Sequence, residues 1–260
     1  MPDERQYIEF DRFSYLYGQV PALINISLRI PRGAFVSVVG ESGGGKSTLL
    51  RALNRLLDLH GSGRHSGDIR FGDVSIFNTD IGAERARRRT AMVFEEPYLF
   101  PGTVFENIVY PLRADGIWSK RKLRRRVAEA LSALGLEDTI GRILQRRAAE
   151  LSTPVAQTVS LVRAVIREPD LLILDDPTER HDPVASNRLE TLIRLAGDAT
   201  TVVMSTSDLQ QARRCSDFIV MLEGGQLVDL VTVFEGQTRS LARARPRYEG
   251  GPVNAGQHQV

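Results

Sequence analysis

Cysteine occurs once in 260 residues, at Cys215, so an intramolecular disulfide and a cysteine-built metal cluster are both excluded. Charge of one sign is equally scarce. The chain sets 34 Lys and Arg against 32 Asp and Glu, a net charge of +2, and nothing global argues for nucleic acid as a partner. No run approaches the ~18 consecutive apolar residues that span a bilayer, so any membrane connection has to pass through a partner or the surface. The charged start, Met1-Pro2-Asp3-Glu4-Arg5, leads into no apolar core of signal-peptide length, and export is not expected. What remains is ordinary for a globular chain. With 42% hydrophobic and 25% charged residues it can bury a core, and the length predicts one α/β domain with an elaboration.

Residues 7 to 39 alternate apolar and polar positions in short runs broken by Pro21, Pro31 and Gly33, which predicts antiparallel strands. The run Ala34 to Val39 then enters Gly40 to Gly45 and a helical pattern from Ser47 through Leu57. Gly61 to Gly67 reads as a loop, Arg85 to Arg89 as a basic segment, and Val104 to Ile166 as helical, with a strongly basic stretch at Lys120 to Arg126. Leu171 to Leu174 predicts a buried strand ending at Asp175-Asp176. A helix from Pro183 to Leu195 and a second apolar run, Thr201 to Met204, follow it. Apolar strands with polar C-terminal ends predict a parallel sheet with its site along that edge. From Thr238 onward the composition predicts weak order, and His60, His65 and His258 read as solvated.

The segment Gly40-Glu41-Ser42-Gly43-Gly44-Gly45-Lys46-Ser47-Thr48 matches the phosphate-loop pattern G-x-x-x-x-G-K-[ST] between a strand and a helix. Glycines let backbone N–H groups curl around an anion, and the helix start adds a favourable dipole. Lys46 reaches the outer phosphates, and the Ser47 hydroxyl is a magnesium ligand. Such a site needs a carboxylate at the end of a neighbouring buried strand, and Asp175 supplies it.

Over roughly residues 7 to 230 the chain resembles the ATP-binding subunits of ABC transporters. Leu151-Ser152, about 20 residues before Leu171 to Thr178, follows an order peculiar to that family. The resemblance implies an ABC-type P-loop α/β core with an antiparallel β subdomain and an inserted helical subdomain. These would make a nucleotide-binding domain over 1–237, its helical part about 97–165, before a tail at 238–260. It implies ATP and Mg2+ as ligands, with Tyr17 stacking on adenine and Ser152 facing the nucleotide of a second subunit. It also implies a peripheral position at the cytoplasmic face of the membrane. The expected partners are permease subunits, a second nucleotide-binding subunit (self or paralogue) and, indirectly, an external solute-binding protein. Leu49 to Leu59, Tyr17-Gly18, Pro97 to Pro101 before Glu106-Asn107-Ile108, and Gln210 to Asp217 resemble the subunit of phosphate importers.

Four departures from the family pattern gather where the γ-phosphate and the attacking water belong. Glu95 replaces the expected glutamine, which keeps an oxygen near the metal but removes an amide donor. Asp176 replaces the catalytic glutamate and retracts its carboxylate by one methylene. Ser207 replaces the switch histidine and carries no positive charge. In the signature loop, Leu151-Ser152-Thr153-Pro154-Val155 keeps the serine but places a proline, which lacks an N–H, in the first helical turn. ATP binding near the family norm with slow turnover is therefore expected. A catalytically weakened regulatory or scaffold subunit is the alternative. His181, in the segment 178–182 that communicates between subunits in the family, reads as a contact residue.

Overall fold

A computed structural model describes residues 7–78, 82–179, 181–198, 200–234 and 237–242. The first strands, β1 (Tyr7–Tyr17) and β2 (Val20–Pro31), pair antiparallel, as the alternation predicts. Pro21 lies within β2 rather than ending it, because β2 is the edge of its sheet and loses no ladder bond on its open side. The stretch expected to loop at 61–67 is instead mostly strand: β4 (Gly63–Phe71) pairs along β1. Gly67, at φ 76°, lies where the β1–β4 register shifts, and a Cβ there would collide with the Asp11 and Arg12 carbonyls. Composition argued for a loop, but pairing with β1 overrides that local preference. A short β5 (Val74–Ser75) completes the four-stranded sheet, in the order β2-β1-β4-β5.

The second sheet holds β3 (Phe35–Val39), β6 (Thr90–Val93), β7 (Leu171–Asp175), β8 (Thr201–Thr206), β9 (Phe218–Glu223), β10 (Gln226–Phe234) and β11 (Gln237–Ala242). Its order is β11-β10-β9-β3-β8-β7-β6; the five strands from β6 to β9 run parallel, and β10 and β11 add antiparallel. Continuous apolar runs make the central strands because both faces are covered. Leu171 and Ile173 of β7 join the cluster beneath the four-stranded sheet, whereas Leu172 and Leu174 join the cluster under the helices. Residues 238–242, expected in the tail, belong to β11. Main-chain pairing to β10, which is indifferent to side-chain type, holds them, and residues 243–260 lie outside the described residues.

Helix α1 (Lys46–Leu53) stops short of the expected Leu57. Arg55 turns left-handed at φ 58°, with its guanidinium on the Ile76 carbonyl and on Asp58 at 2.7 Å. The basic segment 85–89 falls in α2 (Gly82–Arg89), from which Arg87 donates to the Asn54 and Arg55 carbonyls at the end of α1. The helical stretch resolves into α3 (Val104–Ala114), α4 (Lys120–Ala133) and α5 (Thr153–Val165). A reciprocal cap between Thr103 and Glu106 starts α3. After β7 come α6 (Pro183–Gly197), capped by Asp182, and α7 (Leu209–Cys215), capped by Asp208.

Candidate nucleotide site

Parallel strands deliver the site residues to one edge. Gly40 follows β3, Asp175 ends β7, Thr206 ends β8 and Phe94 follows β6, all at carboxyl ends, as the sequence predicts. The loop after β3 reaches α1 through Gly45 at φ 100°, where a Cβ would stand 2.7 Å from the Ala22 carbonyl oxygen; only glycine fits. No side chain caps α1, so the N–H groups of its first turn face the loop unshielded. Lys46 is buried and donates to the Gly40 carbonyl at 2.8 Å and to the Glu41 carbonyl at 3.1 Å, which folds its ammonium into the loop.

The Ser47 hydroxyl donates to Asp175 Oδ1 at 2.8 Å, and Arg51 approaches Asp175 Oδ2 at 3.5 Å. A hydroxyl and a carboxylate side by side beneath a phosphate loop are the hard oxygen ligands that magnesium prefers, so the donor set fits that ion. Tyr17, at the end of β1, sits over the start of α1 with its hydroxyl 3.4 Å from Thr48 Oγ1. Its ring meets Tyr15 and His60 edge to face.

Asp176 adopts φ 43°, a conformation Asp tolerates better than most residues, and its N–H donates to the Ser205 hydroxyl at 2.9 Å. Ser205, fully buried in β8 directly across from Asp175, also donates to Asp175 Oδ1 at 3.0 Å. Sequence reasoning missed Ser205. The one signal available was a hydroxyl inside the apolar run of β8, and only the register puts it opposite the acid. Gln157 was missed as well; its amide donates to the Phe94 carbonyl at 2.7 Å and ties α5 to the segment carrying Glu95.

Burial pushes the Asp176 carboxyl above its ordinary range. Lys46 opposes the shift, and Glu179, Asp175 and Glu95 add to it. Between the ordinary pKa and the raised one, the folded state keeps a proton that the unfolded chain has lost, so stability falls as pH rises through that window. Asp176→Asn removes the penalty and suits the left-handed backbone. We expect its thermal midpoint to exceed that of the parent at neutral pH, with the gap narrowing as the solution is acidified toward about pH 4. A scan of melting temperature against pH that shows a constant gap would contradict this assignment.

The remaining predicted residues divide. Glu95 lies close enough to Asp176 for its charge to act there, whereas Ser207 sits exposed on the rim, 3.5 Å from Glu179. Ser152 does not join the loop. It caps α5 without a side-chain bond and lines a cleft of about 690 Å³ with Pro154, Asp182 and Arg188. Pro154 takes its place in the first turn of α5, as expected. Both ring nitrogens of His181 are buried, and burial lowers its pKa against the opposing pull of the Thr153 backbone. Arg180, in the same segment, lies outside the described residues.

Residues 23–179 match the ABC transporter family. The phosphate import ATP-binding protein PstB 2 of Aliivibrio fischeri is 40% identical over 230 residues, covering 88% of this chain and 84% of that protein. PstB 1 of Vibrio vulnificus is 36% identical over 229 residues, covering 88% and 84%. Among solved structures, the ATP-binding cassette MJ0796, a dimer in a post-hydrolysis state bound to ADP and Pi, superposes with a TM-score of 0.74. It is 27% identical, with 87% of this chain and 99% of that one covered. The fold also matches cbiO1 of Clostridium perfringens, part of an ABC transporter complex, at a TM-score of 0.76 and 24% identity, covering 87% and 88%. The loop, the Ser47–Asp175 pair and the serine at the start of α5 thus stand in a chain that belongs to the ABC transporter family, as an ATP-binding subunit related to the phosphate import ATP-binding proteins.

Proposed function

We propose that this chain is the energy-coupling ATP-binding subunit of an importer of inorganic phosphate. One observation carries the reading: the phosphate loop, Lys46 and the Ser47–Asp175 pair converge at one sheet edge in a chain 40% identical to a phosphate import ATP-binding protein. In this reading the amides of residues 43–48 receive the β- and γ-phosphates, and Lys46 exchanges its two loop carbonyls for phosphate oxygens. Tyr17 stacks on the adenine. Ser47 and Asp175, with Glu95 near, would hold Mg2+, which when bound offsets the negative charge of the phosphates. Asp176 orients the attacking water from a retracted position, and Ser207 contributes little to the γ-phosphate, so turnover is slow.

Ser152 and the open start of α5 stand apart from the chain's own loop, which suits them to the nucleotide of a second subunit. The dimeric cassette bound to ADP and Pi supports such an arrangement. The nucleotide-binding domain then extends past 237 to the end of β11 at Ala242, with 97–165 as its helical subdomain. The permease docks along the segment from Glu95 to Ile117, beside a cleft of about 670 Å³ walled by Glu96, Pro97, Leu99 and Phe100. Asn107 pins that segment by bonding both the N–H and the carbonyl of Phe100. The subunit then sits peripherally at the cytoplasmic face of the membrane; no helix among the described residues is long and apolar enough to cross it. The solute is then selected by the permease and its external binding protein.

The test is reconstitution with the membrane permease subunits that co-purify with this chain, scoring ATP-dependent accumulation of labelled phosphate. Accumulation of phosphate in preference to other oxyanions is the expected result; accumulation of a different solute would refute the phosphate assignment.

A further inference from the structure

The surface of α4 carries a feature that the nucleotide site does not use. Six of the seven residues from Lys120 to Arg126 are Lys or Arg, in a chain whose net charge is only +2. Leu123, Val127 and Leu131 turn the apolar side of α4 into the core, which leaves the cations outside. Lys120, Arg121, Lys122 and Arg124 are exposed and meet no carboxylate within ion-pair distance among the described residues. Arg125 and Arg126, by contrast, are paired with Glu129 and Glu168. Immediately before the helix, Trp118 is 69% exposed, and it is the only tryptophan in the chain.

A lone exposed indole beside unpaired cations is the combination that seats a protein at the headgroup level of a bilayer. The ring lies at the polar–apolar boundary while the cations meet anionic lipid. A folded protein partner would find little apolar surface here. Leu123, Val127 and Leu131 are already taken up by the core, and the cleft of about 390 Å³ that α4 borders begins only at Arg126, beyond the exposed cations. We propose that Trp118 with Lys120, Arg121, Lys122 and Arg124 forms a docking surface for an anionic lipid bilayer. This surface acts independently of the phosphate loop and of any permease.

Because Trp118 is the sole tryptophan, its fluorescence reports the contact directly. The purified full chain is titrated with vesicles of phosphatidylglycerol mixed into phosphatidylcholine, and with vesicles of phosphatidylcholine alone. The expected result is a blue shift and co-sedimentation with the anionic vesicles only, reversed by raised salt. Each cation contributes about fivefold to partitioning. The variant K120Q/R121Q/K122Q/R124Q, which keeps the indole, should therefore bind these vesicles on the order of a hundredfold or more weaker. Its melting temperature and ATP affinity should match those of the parent, because the changed residues are exposed and lie outside the nucleotide site. Equal binding to neutral vesicles, or an unaltered response in the variant, would overturn the proposal. So would a tryptophan response to an RNA or DNA oligonucleotide with none to anionic vesicles.

Discussion

Lys46→Ala is expected to lower the affinity for Mg-ATP by on the order of a hundredfold, because charge-assisted hydrogen bonds are worth roughly 1.5–3 kcal/mol each. The ammonium already stands inside the loop, held by the Gly40 and Glu41 carbonyls in a residue that is 7% exposed. It therefore needs no rearrangement of the fold to meet a phosphate. The loop amides and Asp175 remain in the variant, so some binding persists and the fold is kept. Lys46→Arg does not rescue, since a buried niche shaped for a point charge has no room for a planar fork. Equilibrium titration with a fluorescent ATP analogue reads the change. An affinity equal to that of the parent would remove the basis for placing the triphosphate in this loop.

Asp176→Glu is expected to move in the opposite direction and speed hydrolysis. A displacement of about 1 Å at a reacting group costs on the order of a hundredfold, and the missing methylene retracts the carboxylate by a comparable distance. Restoring it should raise the single-turnover rate at least about tenfold, while the isolated parent stays well below an ordinary ~10 s⁻¹. Stability should fall slightly at the same time, because position 176 sits at φ 43° and Glu accepts that backbone less readily than Asp. Faster chemistry in a less stable variant separates a true gain in geometry from general tightening of the fold. If the rate does not rise, the slow step lies elsewhere: at Ser207 on the exposed rim, or at the Thr153-Pro154 turn of the partner site. The regulatory-subunit reading would then be the stronger one.

The outcomes for particular elements show how far local pattern reaches. The phosphate loop was legible because its chemistry is written in consecutive residues, and a strand followed by glycines and a helix needs no distant contact to be recognised. The strand at Leu171 to Asp175 was legible for a related reason: only burial on both faces explains five residues without a solvent-facing position. The end of α1 was not. Leu56 and Leu57 continue the helical pattern, yet Arg55 is held left-handed by contacts to Asp58 and Ile76 and by Arg87 from α2. Strand β4 was not legible either, since Gly, Ser and His give no strand signal until β1 lies alongside.

From its own order of residues, the chain determined that a triphosphate-sized loop would follow a buried strand and that an acid would end a second one. It also carries, at Glu95, Asp176, Ser207 and Thr153-Pro154, departures from the pattern of the family it resembles. Those are statements about neighbours along the backbone, where a few bonds fix the geometry. Tertiary structure alone decided that Ser47 and Asp175, 128 positions apart, would share a hydrogen bond, and that Ser205 would bridge toward both acids. It also decided that Lys120, Arg121, Lys122 and Arg124 would meet no carboxylate among the described residues while standing beside an exposed Trp118. Each of these depends on the register between parallel strands and on which helix faces the core consumes, and those are settled only when the whole chain packs.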